Sequence, residues 1–498
     1  MKRIVFSVFL SWSLLCSALL TGCLSTKSTK SADNKQTTKK TTSARAQPSP
    51  LAAFSEHTLS NNIPLIVKKH SGTFISIRFV IEGGVSLLKE AYSGLENVTL
   101  QLMLTESANF SQEATAELEK NHDFSITAAS KKDYSYIELV CAEKDFDVAF
   151  NVFADRILHP TLREKAFNAL MEEKKAAIAQ KAATPQAMLS NELRSAAYKH
   201  HPYATSPLVT QLSADKITFD AVKQYHKKIL GAEKVKIIAV GNFSGGTDGT
   251  SAEKNTDSAT DGEHDSEAAI SIDSIVAKTE GAFGAKSSIA PLNITIPSIP
   301  PLDFSQHKNL SQKESALFGE ECYAVSYFNA PHRFDADYVP YVFAGMILDD
   351  LLFDEVKQKD SAQSAVKSLG VGIMEGMEQT GIISVFKAKT SEGLIDSIDE
   401  AIASFPKEKV IRRELNRYKK DYIMALYEKN REISGVADSV MTSYVYARNP
   451  AKYLERPDRV ETVTAKQIFE AYQKYFSQKD GRKWIVLTGK ISAETENQ

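Results

Sequence analysis

The chain has 498 residues, 43% of them apolar, with 60 Lys plus Arg against 62 Asp plus Glu for a formal charge of −2. That length and apolar content suffice for two or three domains with cores of their own, which excludes a disordered or fibrous chain. The near-balance of charge excludes the basic footprint by which nucleic-acid binders neutralise phosphates, so no nucleic-acid partner is expected.

At the N-terminus Lys2 and Arg3 precede an uncharged run over residues 4–20, and Leu20-Thr21-Gly22-Cys23 sets small residues ahead of a cysteine. This resembles a bacterial lipoprotein leader. It predicts a signal peptide over residues 1–22 and lipidation at Cys23. An uncleaved membrane helix is the alternative, because the run is close to the roughly 17-residue lower limit for spanning a bilayer. Residues 23–50 read as the lipidated cysteine and a flexible tether, since Ser, Thr, Lys, Gln and Pro dominate and little there could be buried. Its lysines would also suit an anionic lipid surface. The expected location is the bacterial cell envelope, lipid-anchored, periplasmic or surface-exposed. With Cys16 in the leader, Cys141 and Cys322 remain for the folded body, where one disulfide is open and a Cys-rich zinc site is excluded.

A first domain is predicted over residues 51–243. Residues 64–69 and 74–81 are β-branched and apolar and read as strands, the second ended by Gly83-Gly84. Leu95, Val98, Leu102 and Met103 recur at helical spacing over residues 93–105. Residues 126–130 and 134–141 read as a hairpin, 145–158 as a helix, and 162–183 as a long helix rich in Ala, Glu and Lys. A helical segment from Thr218 through Tyr225 then leads to a buried strand over residues 235–241.

Residues 244–305 read as a linker, acidic and then Pro-rich. The stretch from Ser244 to Asp273 holds only the isolated Ile270 and Ile272 as large apolar residues, so it is expected to be mobile. A second domain is predicted over residues 306–498. Its apolar segment from Tyr338 to Leu352 reads as a packing helix. Thr464 through Tyr472 and the strand ending at Gly489 repeat the close of the first domain at offsets of 246 and 248. Two matches at nearly one offset suggest duplication of a domain of roughly 190 residues. Neither half alternates strand and helix regularly, so each is α+β, a mainly antiparallel sheet packed on helices.

Several short segments carry a family resemblance. These are Leu59-Ser60-Asn61-Asn62-Ile63-Pro64, Ile81-Glu82-Gly83-Gly84-Val85, Ser93-Gly94-Leu95, the hairpin from Thr127 to Ser135, and His201-Pro202-Tyr203. In order and spacing they resemble the insulinase or pitrilysin type of metallopeptidase, whose relatives include the mitochondrial processing peptidase. The resemblance implies two homologous domains of that type. The family's zinc is held by H-x-x-E-H on the first helix and by a later Glu, with the Glu of the motif as general base. Aligned on Ser93-Gly94-Leu95, the two His fall at Asn97 and Gln101, the general base at Leu100, and the later Glu near Gln180. An Asn or Gln amide is a poor zinc ligand, and Leu100 can accept no proton. No catalytic residue, metal or cofactor is therefore expected.

Elsewhere, His200-His201, Glu172-Glu173 and the Asp261-to-Asp265 run around His264 read as solvated or structural groups, because adjacent side chains point apart and low-complexity sequence fixes no geometry. By the resemblance, Thr127 stands in place of the Asn of the family's Asn-Ala-x-Thr hairpin. Thr127 and Ala128 are candidate substrate contacts. Lys357 and Ser364 stand where relatives place an Arg and a Tyr that hold substrate, Lys357 keeping the charge without the planar fork. The leading expectation is a membrane-anchored, noncatalytic homologue that forms a chamber wall or contacts substrate. Its partner would be an active insulinase-type peptidase subunit or a second copy of itself. The alternative is a stand-alone lipoprotein that binds a peptide or unfolded protein segment by strand addition. An active zinc endopeptidase is the third reading.

Overall fold

The computed structural model describes residues 54–182, 184–245, 270–284, 289–308, 313–314, 318–319, 321–353, 368–389 and 391–489. The first unit runs β1 (Phe54–Thr58), β2 (Pro64–Lys69), β3 (Phe74–Glu82), α1 (Leu95–Met103), α2 (Gln112–Asn121), β4 (Phe124–Ser130), β5 (Tyr134–Ala142), α3 (Phe146–Leu158), α4 (Glu164–Ala182), α5 (Pro185–Ala197), α6 (Phe219–Ile229), β6 (Val235–Gly241) and α7 (Ile272–Phe283). The second runs β7 (Lys313–Glu314), β8 (Cys322–Asn329), α8 (Tyr338–Leu352), β9 (Ser368–Met374), β10 (Thr380–Ala388), α9 (Leu394–Ala403), α10 (Glu408–Lys429), α11 (Ile433–Ala447), α12 (Arg456–Thr462), α13 (Ala465–Ala471) and β11 (Lys483–Thr488).

The two sheets share one topology. Their orders are β1-β2-β6-β3-β5-β4 and β7-β11-β8-β10-β9. Setting β1 aside, each places its last strand between its first and second, and its third at the far edge. The first and last strands pair in parallel, β2 with β6 and β7 with β11, and the remaining pairs are antiparallel. The fold is therefore α+β and duplicated. The repeat noticed in sequence marks matching caps. Thr218 accepts from the Ala221 amide at 3.1 Å to start α6. Thr464 accepts from the Gln467 amide at 3.3 Å to start α13, and the Gln467 side chain reaches back to the Thr464 amide at 2.9 Å.

Strand alternation explains how the units join. On β3, Ile75, Ile77, Phe79 and Ile81 face the first unit's own helices, while Val80 turns to the opposite face. That face is covered by Val436, Ala437, Val440 and Met441 of α11, a helix of the second unit. The second sheet does the same in reverse. Cys322, Ala324 and Phe328 of β8 face its own helices, and Tyr323, Val325 and Tyr327 pack with Leu189, Leu193 and Ala197 of α5. Helices α5 and α11 hold the same place in the two repeats, each following the long helix, so the units exchange equivalent helices across their interface.

The stretch read as a linker is corrected by α7. Ile272, Ile275, Phe283 and Ile289 belong to the first unit's core, and Ile270 packs against it. Ser244 and Ser271 form a parallel bridge, with the Ser244 amide donating to Ile270 O at 3.0 Å and the Ile272 amide to Ser244 O at 2.9 Å. Both ends of the acidic run are thus fixed to one wall, and Ile270 and Ile272 are anchors rather than isolated residues. Residues 246–269 lie outside the described residues. Phe304, also in the supposed linker, is buried with the second sheet. Cys141 and Cys322 are free and buried, one in each unit. Burial pushes their thiols up to about 12 and about 11, which makes them inert.

Candidate functional site

Helix α1 starts at a sharp bend. Gly94 adopts φ +83, and a Cβ there would meet the Val209 amide nitrogen at 2.3 Å, so left-handed backbone and close approach both require glycine. The loop holding Val209 fixes the bend. The Gly94 amide donates to Ser206 O at 3.0 Å, Ser206 N donates to Ser93 Oγ at 3.0 Å, and Ser213 Oγ donates to Ser93 O at 2.7 Å. Tyr92, Leu208 and Leu212, near this bend, are exposed apolar side chains.

Beyond the bend, Asn97 is buried at 6% exposure and Leu100 is fully buried in the main core of the first unit. Gln101 is half-buried and Gln180 is exposed near the C-terminal end of α4. The packing of α1 on α4 runs through Leu95, Val98 and Leu102 against Phe167 and Met171. Gln180 stands nine residues further along, about 13 Å along the axis from Met171. The one carboxylate on α1, Glu96, is directed elsewhere. It accepts a 2.5 Å hydrogen bond from Tyr225 Oη, and burial raises its pKa against the pull of Tyr225 and Lys234.

The zinc implied by the resemblance does not fit these residues. Two amides and an alkyl chain occupy α1, the neighbouring carboxylate is buried against a tyrosine, and an amide stands at residue 180. Among the described residues no three His, Cys, Asp or Glu side chains are grouped so as to hold a metal ion. No hydrolytic step can be derived from this arrangement.

Beside α1 the sheet ends in β4, whose partner is β5 and whose other edge pairs with no strand among the described residues. Thr127 is exposed on it and Ala128 half-buried. Lys357 and Ser364 lie outside the described residues.

His201-Pro202-Tyr203 serves the interface between the units. His201 Nδ1 accepts from the Tyr203 amide at 3.1 Å, and Nε2 meets Pro300 O at 3.0 Å. Tyr203 is buried and its hydroxyl donates to Asp133 at 2.7 Å. Asp133 also accepts from the Met377 amide at 2.8 Å and from Tyr446 Oη at 3.0 Å, both from the second unit. A second joint is Arg78, whose Nε and Nη2 reach the two oxygens of Glu138 at 3.0 and 3.2 Å. Nη2 also donates to Ser434 O at 2.9 Å, and Asp438 lies 3.5 Å from Nη1. Sequence inspection picked out His201-Pro202-Tyr203 and the hairpin holding Asp133 for their resemblance and not for this joint, and it did not single out Arg78 or Glu138. The one available signal was charge at strand positions facing away from the core, at Arg78 and Glu138.

Residues 65–211 match the family model of the insulinases, peptidase family M16, and so carry a domain of that kind. In fold the chain is similar to a peptidase M16 inactive domain from Pseudomonas fluorescens, with TM-score 0.70 and 16% identity over 88% of this chain and 97% of that one. A protease from Helicobacter pylori gives TM-score 0.71 and 14% identity over 87% of this chain and 99% of that one. The periplasmic protease PqqL from Escherichia coli gives 0.69 and 15% over 98% of this chain and 49% of that one, so the chain spans about half the length of PqqL. No curated protein sequence matches the chain.

Proposed function

We propose that the chain is a noncatalytic insulinase-type homologue that receives an extended peptide or protein segment on the β4 edge and does not cleave it. The observation that carries this reading is the juxtaposition of a strand edge unpaired among the described residues with a helix that holds Asn97, Leu100 and Gln101 where the resemblance puts the family's zinc motif. An edge strand offers main-chain hydrogen bonds to an added strand whatever its sequence. Exposed Tyr92, Leu208 and Leu212 supply apolar contacts near the α1 bend.

In the fuller form of this reading, Cys23 anchors the chain to a bacterial envelope membrane, and an active insulinase-type subunit or a second copy completes a chamber. Two considerations support it. The leader ends in Leu20-Thr21-Gly22-Cys23. PqqL also has about twice this span, as a chamber of four such units would require.

Two measurements test the reading. Chelator-washed protein reloaded with zinc should retain no stoichiometric metal and hydrolyse no peptide. Amide exchange over residues 124–130 should slow when an unstructured peptide is added. A chelator-sensitive activity that follows the homogeneous protein would overturn it, as would peptide binding that leaves β4 unprotected.

A further inference from the structure

By chain order, α8 and α10 of the second unit hold the places that α1 and α4 hold in the first. Each of α1 and α8 follows the second strand of the repeated topology, and each of α4 and α10 is the second helix after the fourth. A cavity of about 340 Å³ opens between the N-terminal end of α8, the C-terminal half of α10, α11 and α12. Its chemistry differs from that of the α1 region. Arg333, Lys429 and Arg456 line it together with the hydroxyl-bearing Tyr338 and Tyr422.

The cations are unequally matched. Lys429 is 2.7 Å from Asp438. Arg333, 6% exposed, pairs with Glu375, while its Nε is buried with no hydrogen-bond partner. Arg456 has no carboxylate among the described residues. Its Nη2 donates to Arg333 O at 3.1 Å, its Nη1 to Tyr422 Oη at 3.4 Å, and its guanidinium lies 4.6 Å from the Tyr338 ring centre. The resulting positive potential acts on Tyr338. Burial opposes ionisation of that hydroxyl, yet Arg456 and Arg333 together bring its pKa below the usual tyrosine value.

The half-buried Arg456 guanidinium meets phenol hydroxyls and a backbone carbonyl but no carboxylate among the described residues, so an anion can complete its pairing. The planar fork of arginine matches a carboxylate's two oxygens. Elsewhere the wall sets the apolar Phe334, Ile423, Leu426 and Leu454 beside polar groups that include Glu375 and Asn430, and Tyr427 stands 70% exposed at its border. Ligand sites commonly combine such a wall with a few convergent polar groups.

We propose that this cavity binds an organic carboxylate bearing an apolar substituent, with Arg456 holding the carboxylate and the α10 side chains holding the substituent. The site is independent of whether the first unit cleaves or receives peptides. The carboxylate has two natural sources, the C-terminal residue of a peptide and a free small acid.

Calorimetric titration of the full chain with four probes separates them: N-acetyl-phenylalanine, its amide, a hexapeptide ending in leucine with a free C-terminus, and the same peptide amidated. At least one acid should bind about tenfold or more tighter than its amide, as expected for loss of a charge-assisted contact. Saturation by the peptide acid alone assigns the site to a chain terminus, and saturation by N-acetyl-phenylalanine assigns it to a small acid. Arg456→Gln should weaken the acid about tenfold and leave the amide unchanged. Should that variant unfold, Tyr427→Ser, at an exposed position, should weaken acids with large apolar groups and spare acetate. Equal binding of acids and amides, absence of saturable binding by any acid at millimolar concentration, or inorganic phosphate binding as tightly as the acids would overturn the proposal.

Discussion

Arg78→Met removes the cation that joins the first sheet to α11. Glu138, 5% exposed, then loses two hydrogen bonds and keeps Ser76 Oγ at 2.8 Å, while Ser434 O loses a donor. Breaking a buried pair from one side leaves an uncompensated charge and costs about 3–5 kcal/mol. Asp438 is buffered by Lys429 at 2.7 Å, so the loss falls mainly on Glu138. Urea unfolding followed by circular dichroism and tryptophan fluorescence should show at least about 3 kcal/mol less stability for the variant. The double variant Arg78→Met with Glu138→Leu should recover about half or more of that, since an apolar pair of similar volume tolerates burial.

Acid adds a second signature. Burial pushes Asp438 up, but Lys429 and Arg78 outweigh it and hold its carboxyl at about 2, against 3.8 ordinarily. A lowered folded pKa means that its stabilisation is present above about pH 4 and lost as pH falls through about 2. The gap corresponds to about 2 kcal/mol, discounted to about 1–2 because the Asp438 side chain is 31% exposed. The acid limb of the stability curve should be shallower in Arg78→Met. A stability loss below about 1 kcal/mol at pH 7, or an unchanged acid limb, would refute the view that Arg78 clamps the two units.

Gly94→Ala should destabilise by more than about 1 kcal/mol in the same unfolding assay, because alanine must take a left-handed φ and push a Cβ into the backbone at Val209. Glu96→Gln should stabilise the protein at pH 8 and be nearly neutral at pH 4. Burial raises the Glu96 pKa, so the cost of its charge appears as pH rises above the unfolded value and grows until the folded pKa is passed; thermal unfolding at the two pH values reads the sign. Cys23→Ser should abolish lipid labelling and leave an unprocessed precursor on immunoblots, and unchanged labelling would exclude that anchor.

Local signals carried the elements that obey them. Apolar residues from Tyr338 to Leu352 marked α8 at its observed bounds, and the α1, α3 and α4 segments were readable within about two residues from spacing and composition. Helices α2, α5, α7, α9, α11 and α12 were not read, nor was α10, whose charged residues leave Ile411 and Tyr418 as its fully buried anchors. Helix α7 was hidden because its few apolar residues follow an acidic stretch and bury themselves against strands distant in sequence.

The sequence by itself determined the α+β character, the duplication, and the donor chemistry of the site, since period, caps and residue type are local properties. A helix carrying Asn97, Leu100 and Gln101 offers two amides and an alkyl chain whatever surrounds it. Only the tertiary structure decided the exchange of α5 and α11, the seating of α7, and the joints at Asp133 and Arg78. It also decided that Arg456 bonds a backbone carbonyl and a tyrosine hydroxyl instead of a carboxylate among the described residues. Those features pair groups hundreds of residues apart, as Tyr446 with Asp133 across 313 positions and Arg448 with Glu82 across 366. No local pattern encodes such a pairing, because burial and partner are set by the far segment that packs there.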